Sequence, residues 1–177
     1  PINSDVKNDH YTSWDKIDKH YISMGQGIAV TNLQLALSYC VIANGGKLIQ
    51  PKLIEEEHNK ISEIRTVLKK ETCKKVMEAL ELSVEIGTAK DLKLKEFKIS
   101  GKTGTAEKWI GSREEGGYSD SLFVASFASI FPSDNPEYVL IISINEPEYE
   151  YRYASKSAVP ATTRIIKEML NKNASMS

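Results

Sequence analysis

The chain has 177 residues, enough to bury the core of one domain, and its charged residues, 27% of the total, nearly cancel to a net charge of -1. Nothing in that balance calls for a nucleic acid or an anionic membrane as partner, and the longest apolar run, around "LIISI", is far too short to span a bilayer. No signal sequence stands at residue 1, so any export signal or anchor is expected outside this stretch.

Residues 1–22 are polar with scattered aromatics and no period, which predicts a loop or the cut edge of a larger unit. "SMGQGIAVTNLQLALSYCVIANGG" then reads as a Gly-rich turn, a helix and a stop. Thr31 and Gln34 have capping-box spacing, Leu33, Leu37, Cys40 and Val41 form an apolar stripe, and Gly45 ends the helix. Two short apolar runs around "EEEHNK", between Lys47 and Val67, predict a surface hairpin. A second helix is expected from Glu71 to Ile86, with Cys73, Val76, Met77, Leu80 and Val84 on its core side and Gly87 after it.

Phe97 and Ile99 alternate with Lys98 and Ser100, the period of a half-buried strand, and the pattern runs into Lys102-Thr103-Gly104-Thr105. "AEKWIGSREEGGYSDS" follows as a charged connection long enough to move, in which Trp109 and Tyr118 either line a cleft or pack the base of the loop. The strands "SLFVASFASIF" and "EYVLIISIN" are joined by the turn formers "PSDNP". Pro160 opens a last helix through Leu170, with Ile165, Ile166 and Met169 inward. Helix, hairpin, helix, three strands and helix predict an α+β fold with an antiparallel sheet flanked by helices.

Cys40 and Cys73 match no metal-ligand spacing and read as buried small hydrophobes, with a disulfide as the alternative. His10, His20 and His58 lie in polar surroundings without spaced partners, which predicts solvated surface positions and no metal.

Two chemistries use a Gly-Lys-Thr string. A phosphate loop needs a glycine five positions before Gly101, where Glu96 stands, and no glycine between 88 and 100 replaces it. The other chemistry is recognition of an acyl substrate with a free carboxylate. Gly104 lets a peptide lie against the backbone as an added strand, while Lys102 and a threonine hydroxyl hold the carboxylate and a nearby N–H faces a developing oxyanion. On an ideal strand Lys102 and Gly104 share one face and Thr103 and Thr105 the other, so twist or a bulge at the glycines is expected if both hydroxyls are to help.

"SMGQGIAVTNLQLALSYCVIANGG", "IGTAK", "ISGKTGTAEK", "YSDSLFVASFASIFPSDNPEYVLIISINEP" and "SAVPATTRIIKEML" resemble, in order and spacing, the C-terminal half of a class B penicillin-binding protein transpeptidase domain, in wording closest to the division-type enzymes. Residues 23–170 carry the resemblance and 171–177 form a tail. It implies part of the serine β-lactamase-like fold. It also implies a serine D,D-transpeptidase that crosslinks peptidoglycan stem peptides at D-alanyl-D-alanine during cell-wall synthesis and division and that β-lactams inhibit. Such an enzyme uses no cofactor, sits in the inner membrane with its catalytic domain in the periplasm, and has division proteins as possible partners.

In the resembling family the nucleophile lies in Ser-x-x-Lys, a second motif is Ser-x-Asn, and Lys-Thr-Gly comes third. The resemblance therefore gives Lys102, Thr103 and Thr105 the carboxylate and oxyanion side of the site, with Gly104 between them, and makes Tyr153 an aromatic wall. Tyr153-Ala154-Ser155 stands where the family has an aromatic and two glycines, so the approach of backbone to substrate is expected to differ there. Ser13-Trp14-Asp15-Lys16 lacks the apolar helix that would lower its lysine's pKa, and Ser143-Ile144-Asn145 follows Lys102 instead of preceding it. Both are read as coincidences. The expectation is a segment without its nucleophile, inactive alone, that needs the N-terminal half of its domain and leaves Phe123, Phe127, Val139 and Ile141 exposing apolar area. The alternatives are a β-lactam sensor domain or a non-catalytic module of the same fold.

Overall fold

A computed structural model describes residues 20, 23, 25, 28–54, 63–111 and 116–174. The chain divides into two compact units, Pro1–Val30 and Thr31–Ser177. In the first, His20 is helical and exposed, as is Ser23, whose hydroxyl donates to the His20 carbonyl at 2.7 Å. The rest of the expected N-terminal loop, with His10 and the Ser13–Lys16 string, lies outside the described residues, as does His58.

The second unit opens with α1, Asn32–Ala43. Its cap has the expected chemistry: Gln34 N–H donates to Thr31 Oγ1 at 3.2 Å and Thr31 N–H to Gln34 Oε1 at 2.9 Å. The helix stops where expected: after the C-cap Asn44, Gly45 takes φ 79°, its N–H donates to the Ile42 carbonyl at 3.4 Å, and Gly46 N–H donates to that of Val41 at 2.8 Å. Gly46, at φ 109°, carries the chain onward; a Cβ there would lie 2.0 Å from the Leu68 carbonyl oxygen, so only glycine permits that approach. Strands β1 (Lys47–Ile49) and β2 (Glu63–Thr66) pair antiparallel as the expected hairpin. Helix α2, Lys70–Glu85, buries Cys73, Leu80 and Val84.

Strands β3 (Ser100–Ile110), β4 (Gly117–Phe131) and β5 (Tyr138–Asn145) form an antiparallel sheet in that order. Helix α3, Ala158–Ala174, begins two residues before Pro160, which stands in its first turn, and runs past Leu170. One sheet face carries Phe127, Ala125, Ile142 and Ile144 and packs with Val159, Ile166, Met169 and Leu170 of α3. The other lies under α1 and α2: Ser100 Oγ donates to the Met77 carbonyl, and Ser143 Oγ to Asn32 Oδ1. Antiparallel strands with helices on both faces give the α+β architecture that the element order predicts.

Three expectations change. The strand starts at Ser100, and Ile99 and Ser100 are both buried; two covered faces end the alternation, and the Ser100 hydroxyl is satisfied by Met77 and Ser133. The connection after Thr105 is largely strand: Trp109 pairs with Tyr118 across the hairpin, and their rings meet edge to face at 5.2 Å. Phe127 is fully buried, and Phe123, Val139 and Ile141 are half-buried. Exposed apolar area falls instead on other side chains, among them Leu33, Leu53, Ile54, Leu82, Ile86 and Trp109.

Cys73 is buried with its thiol 3.8 Å from the Val41 carbonyl, and Cys40 is half-buried. Both are free thiols, and burial pushes that of Cys40 above its ordinary pKa, away from the reactive thiolate.

Candidate active site

The Lys102–Thr105 segment lies in the regular part of β3, where Lys102 faces Ala128, Thr103 Phe127, Gly104 Ser126 and Thr105 Ala125. The register shift comes later, between Glu107 and Trp109. There is accordingly no bulge at the glycines, and the two threonines stay on the sheet face opposite Lys102 and Gly104.

Which backbone groups are free follows from the ladder. Glu146 N–H donates to the Phe123 carbonyl at 2.8 Å, so the peptide groups of Phe123, and by alternation those of Ala125 and Phe127, turn toward β5. Those of Ser126 then turn toward β3 and meet Gly104, and Ser126 Oγ also donates to the Gly104 carbonyl at 3.4 Å. The main-chain groups of Thr103 and Thr105 therefore point to the outer edge of β3, where no strand pairs among the described residues. Lys102 is exposed, and its ammonium donates to the Thr103 carbonyl at 2.9 Å. The result is a strand edge with a cation on the Thr103 carbonyl and outward peptide groups that no strand pairs among the described residues.

Both threonine hydroxyls are engaged from outside the sheet. Thr103 Oγ1 shares a hydrogen bond of 2.6 Å with Thr88 Oγ1, in the turn after α2. Thr105 Oγ1 accepts from Ala154 N–H at 3.2 Å, at the start of the 3₁₀ turn Ala154–Lys156. Thr88 carries no signal in the sequence, because a contact across 15 residues has no local signature. A Cβ on Gly104 would lie 2.7 Å from Ser126 Oγ, so the glycine also serves the cross-strand fit.

Tyr153 is 49% exposed beside this turn. Arg152 stacks between two rings, its guanidinium carbon 3.9 Å from the Tyr149 centroid and 4.5 Å from that of Tyr153. Its Nη1 donates to the Tyr149 carbonyl at 2.7 Å and its Nη2 to the Tyr153 hydroxyl at 3.3 Å. Arg152 has no sequence signature, because its stack forms only when the fold brings the two rings to it.

A second polar cluster anchors the entry to β3. Lys98 pairs with Glu81 and Glu85 of α2, Ser133 donates to Glu81 at 2.7 Å, and Ser133 shares a bond of 2.6 Å with Ser100. The Lys98 ammonium, then the Ser133 hydroxyl, hold the Glu81 carboxyl below its ordinary pKa, and the same ion pair raises that of Lys98. A concavity of about 640 Å³ between the end of α1, the start of α2 and residues 133–136 borders none of residues 102–105. Ser143 is held by Asn32, an amide that cannot take its proton. No group of His, Cys, Asp and Glu among the described residues is arranged to hold a metal.

Residues 2–167 match the family model described as the penicillin binding protein transpeptidase domain. A peptidoglycan D,D-transpeptidase FtsI homolog from Mesostigma viride is 32% identical over 181 residues, covering 90% of this chain and 30% of its own length. The stage V sporulation protein D of Bacillus subtilis is 26% identical, covering 87% of this chain and 25% of its own. Among solved structures, the apo transpeptidase domain of penicillin-binding protein 3 from Burkholderia pseudomallei superposes with a TM-score of 0.79 at 27% identity, over 92% of this chain and 48% of that one. Penicillin-binding protein 3 of Mycobacterium tuberculosis, complexed with ampicillin, superposes at 0.77 with 26% identity, over 92% and 39%. The chain thus spans less than half of each of these proteins, and over nearly its whole length it belongs to the penicillin-binding protein transpeptidase domain family.

Proposed function

We propose that this chain is the C-terminal part of a division-type peptidoglycan D,D-transpeptidase domain, and that its β3 edge binds the D-alanyl-D-alanine end of a stem peptide or a β-lactam in its place. The observation that carries the reading is the free edge itself: the main-chain groups of Thr103 and Thr105 open outward beside the Lys102 ammonium. A peptide laid there gains main-chain hydrogen bonds, and its terminal carboxylate meets a cation. In this reading Thr105 N–H donates to the oxyanion, as one of the two donors that such a site needs.

The acyl-accepting serine is supplied from outside these residues, since Ser143 has no base beside it and Ser13–Lys16 lacks the apolar helix following it in sequence that a lysine base requires. The whole protein works outside the cytoplasmic membrane, where its substrate lies. No helix among the described residues is long and apolar enough to cross a membrane.

The test is an NMR titration of the chain with a peptide ending in D-alanyl-D-alanine, followed by intact-mass analysis after incubation with penicillin. Shifts centred on residues 102–105, weakened roughly tenfold or more in Lys102→Ala, support the reading, since a charge-assisted hydrogen bond contributes on the order of 1.5–3 kcal/mol. No shift at β3 refutes the binding edge. A stoichiometric adduct on Ser13 or Ser143 refutes the claim that the nucleophile lies elsewhere.

A further inference from the structure

Among the described arginines, Arg152 is the one stacked between two aromatic rings, two residues before the Ala154 N–H that donates to Thr105. Stacking on Tyr149 and Tyr153 fixes the guanidinium plane, and two of its five N–H groups are spent on the Tyr149 carbonyl and the Tyr153 hydroxyl. The rest have no partner among the described residues, and no carboxylate pairs with it although Glu148 and Glu150 stand on the same segment. A surface arginine beside two glutamates usually swings to one of them. Here the two rings hold it, which preorganises the remaining donors.

The position of this cation is set by the neighbouring residues. Ala154 N–H is tied to Thr105 Oγ1, and the 3₁₀ turn that follows packs on β3, so Arg152 lies two residues from a direct hydrogen bond to the proposed binding edge. Tyr153, between them, exposes half its surface. A peptide running along β3 then passes two separate cations, Lys102 on one sheet face and Arg152 beside the threonine face. A terminal carboxylate held at Lys102 leaves Arg152 available to a second anion.

We infer that Arg152 is a specificity residue that selects acyl substrates bearing a second carboxylate, on a side chain of the stem peptide, in addition to the terminal one held at Lys102. This rests on the reading of β3 as the binding edge. The Tyr149–Arg152–Tyr153 stack supplies a planar fork for bidentate carboxylate recognition, which lysine cannot reproduce.

The test uses two peptides that differ by one carboxylate, lysyl-D-alanyl-D-alanine and meso-diaminopimelyl-D-alanyl-D-alanine, titrated by NMR into the parent chain, Arg152→Gln and Arg152→Lys. The parent is expected to bind the diaminopimelyl peptide roughly three- to tenfold more tightly, the range for a half-exposed charge pair in good geometry. Arg152→Gln should reduce that ratio to about one, and Arg152→Lys should restore only part of it, because it returns charge without the fork. Equal ratios in the parent and Arg152→Gln overturn the role of Arg152 while leaving the Lys102 edge standing. A full ratio in Arg152→Lys overturns the fork. Failure of both peptides to bind the parent overturns the edge reading, and this inference with it.

Discussion

The Ala154 main-chain N–H donates to Thr105 Oγ1 at 3.2 Å, across 49 residues of sequence. Ala154 is 1% exposed, so this hydroxyl accepts from a donor that water reaches poorly, and it ties the turn before α3 to the edge strand. Thr105 therefore has a structural task besides any task in binding. Thr105→Val keeps the shape and removes the acceptor, which should cost about 1–3 kcal/mol. Urea denaturation checks it, with Thr105→Ser expected to retain most of the stability; equal stability in parent and valine variant would show that the bond contributes nothing.

Phe127 is fully buried between β3 and the α3 layer, and a Cβ on Gly101 would lie 2.5 Å from its ring and 2.9 Å from the Ala128 carbonyl oxygen. Phe127→Ala should lose about 3–5 kcal/mol through the cavity it leaves. Gly101→Ala should lose about 1–3 kcal/mol by overpacking. The combination should fall short of the sum, because the cavity gives the new methyl room. Strict additivity in a double-mutant cycle would contradict this packing.

Glu81 is held below its ordinary pKa of 4.5 by Lys98 and Ser133. A depressed carboxylate pKa contributes stability that is fully present above the unfolded value and lost as pH falls through the lower, folded value. Stability should therefore decline as the solution is acidified below about pH 4.5, and Glu81→Gln should make that decline shallower. Melting temperature across pH 3 to 7 (roughly the span over which a carboxylate titrates) is the measurement, and parallel curves would exclude Glu81 as a contributor.

Helix α1 carries apolar residues around its circumference, from Leu33, Leu35 and Leu37 to Val41 and Ile42, yet only Val41 is buried. A helix apolar on all sides belongs inside a larger body. Leu33 on α1 and Leu82 on α2 remain substantially exposed. The isolated chain should associate with itself as concentration rises, since exposed apolar patches of more than a few hundred Å² find partners. Sedimentation velocity over a concentration series checks this, and a monomer at every concentration would show that this surface is stable in water.

The sequence alone determined the order and kind of the elements, because each rests on short-range causes: the Thr31–Gln34 cap, the stripe of α2, the turn formers between β4 and β5. It also marked Lys102–Thr105, since that string is distinctive and a phosphate loop fails at Glu96. Alternation located Lys102 and Gly104 on one face, which the register of β3 and β4 bears out. What lay beyond it was everything set by distant partners. The charged connection after Thr105 became strand because Tyr118 offers Trp109 a ring to pack on. Ser100 is buried because Met77 and Ser133 satisfy its hydroxyl. The threonine hydroxyls need no bulge, because Thr88 and Ala154 come to them. Arg152 gave no signal at all, since a lone arginine among tyrosines and glutamates reads as surface until the fold stacks it. Periodicity and capping act over a few residues and are written in the chain; which hydroxyl meets which donor across 49 residues is decided only when the sheet and helices close on one another.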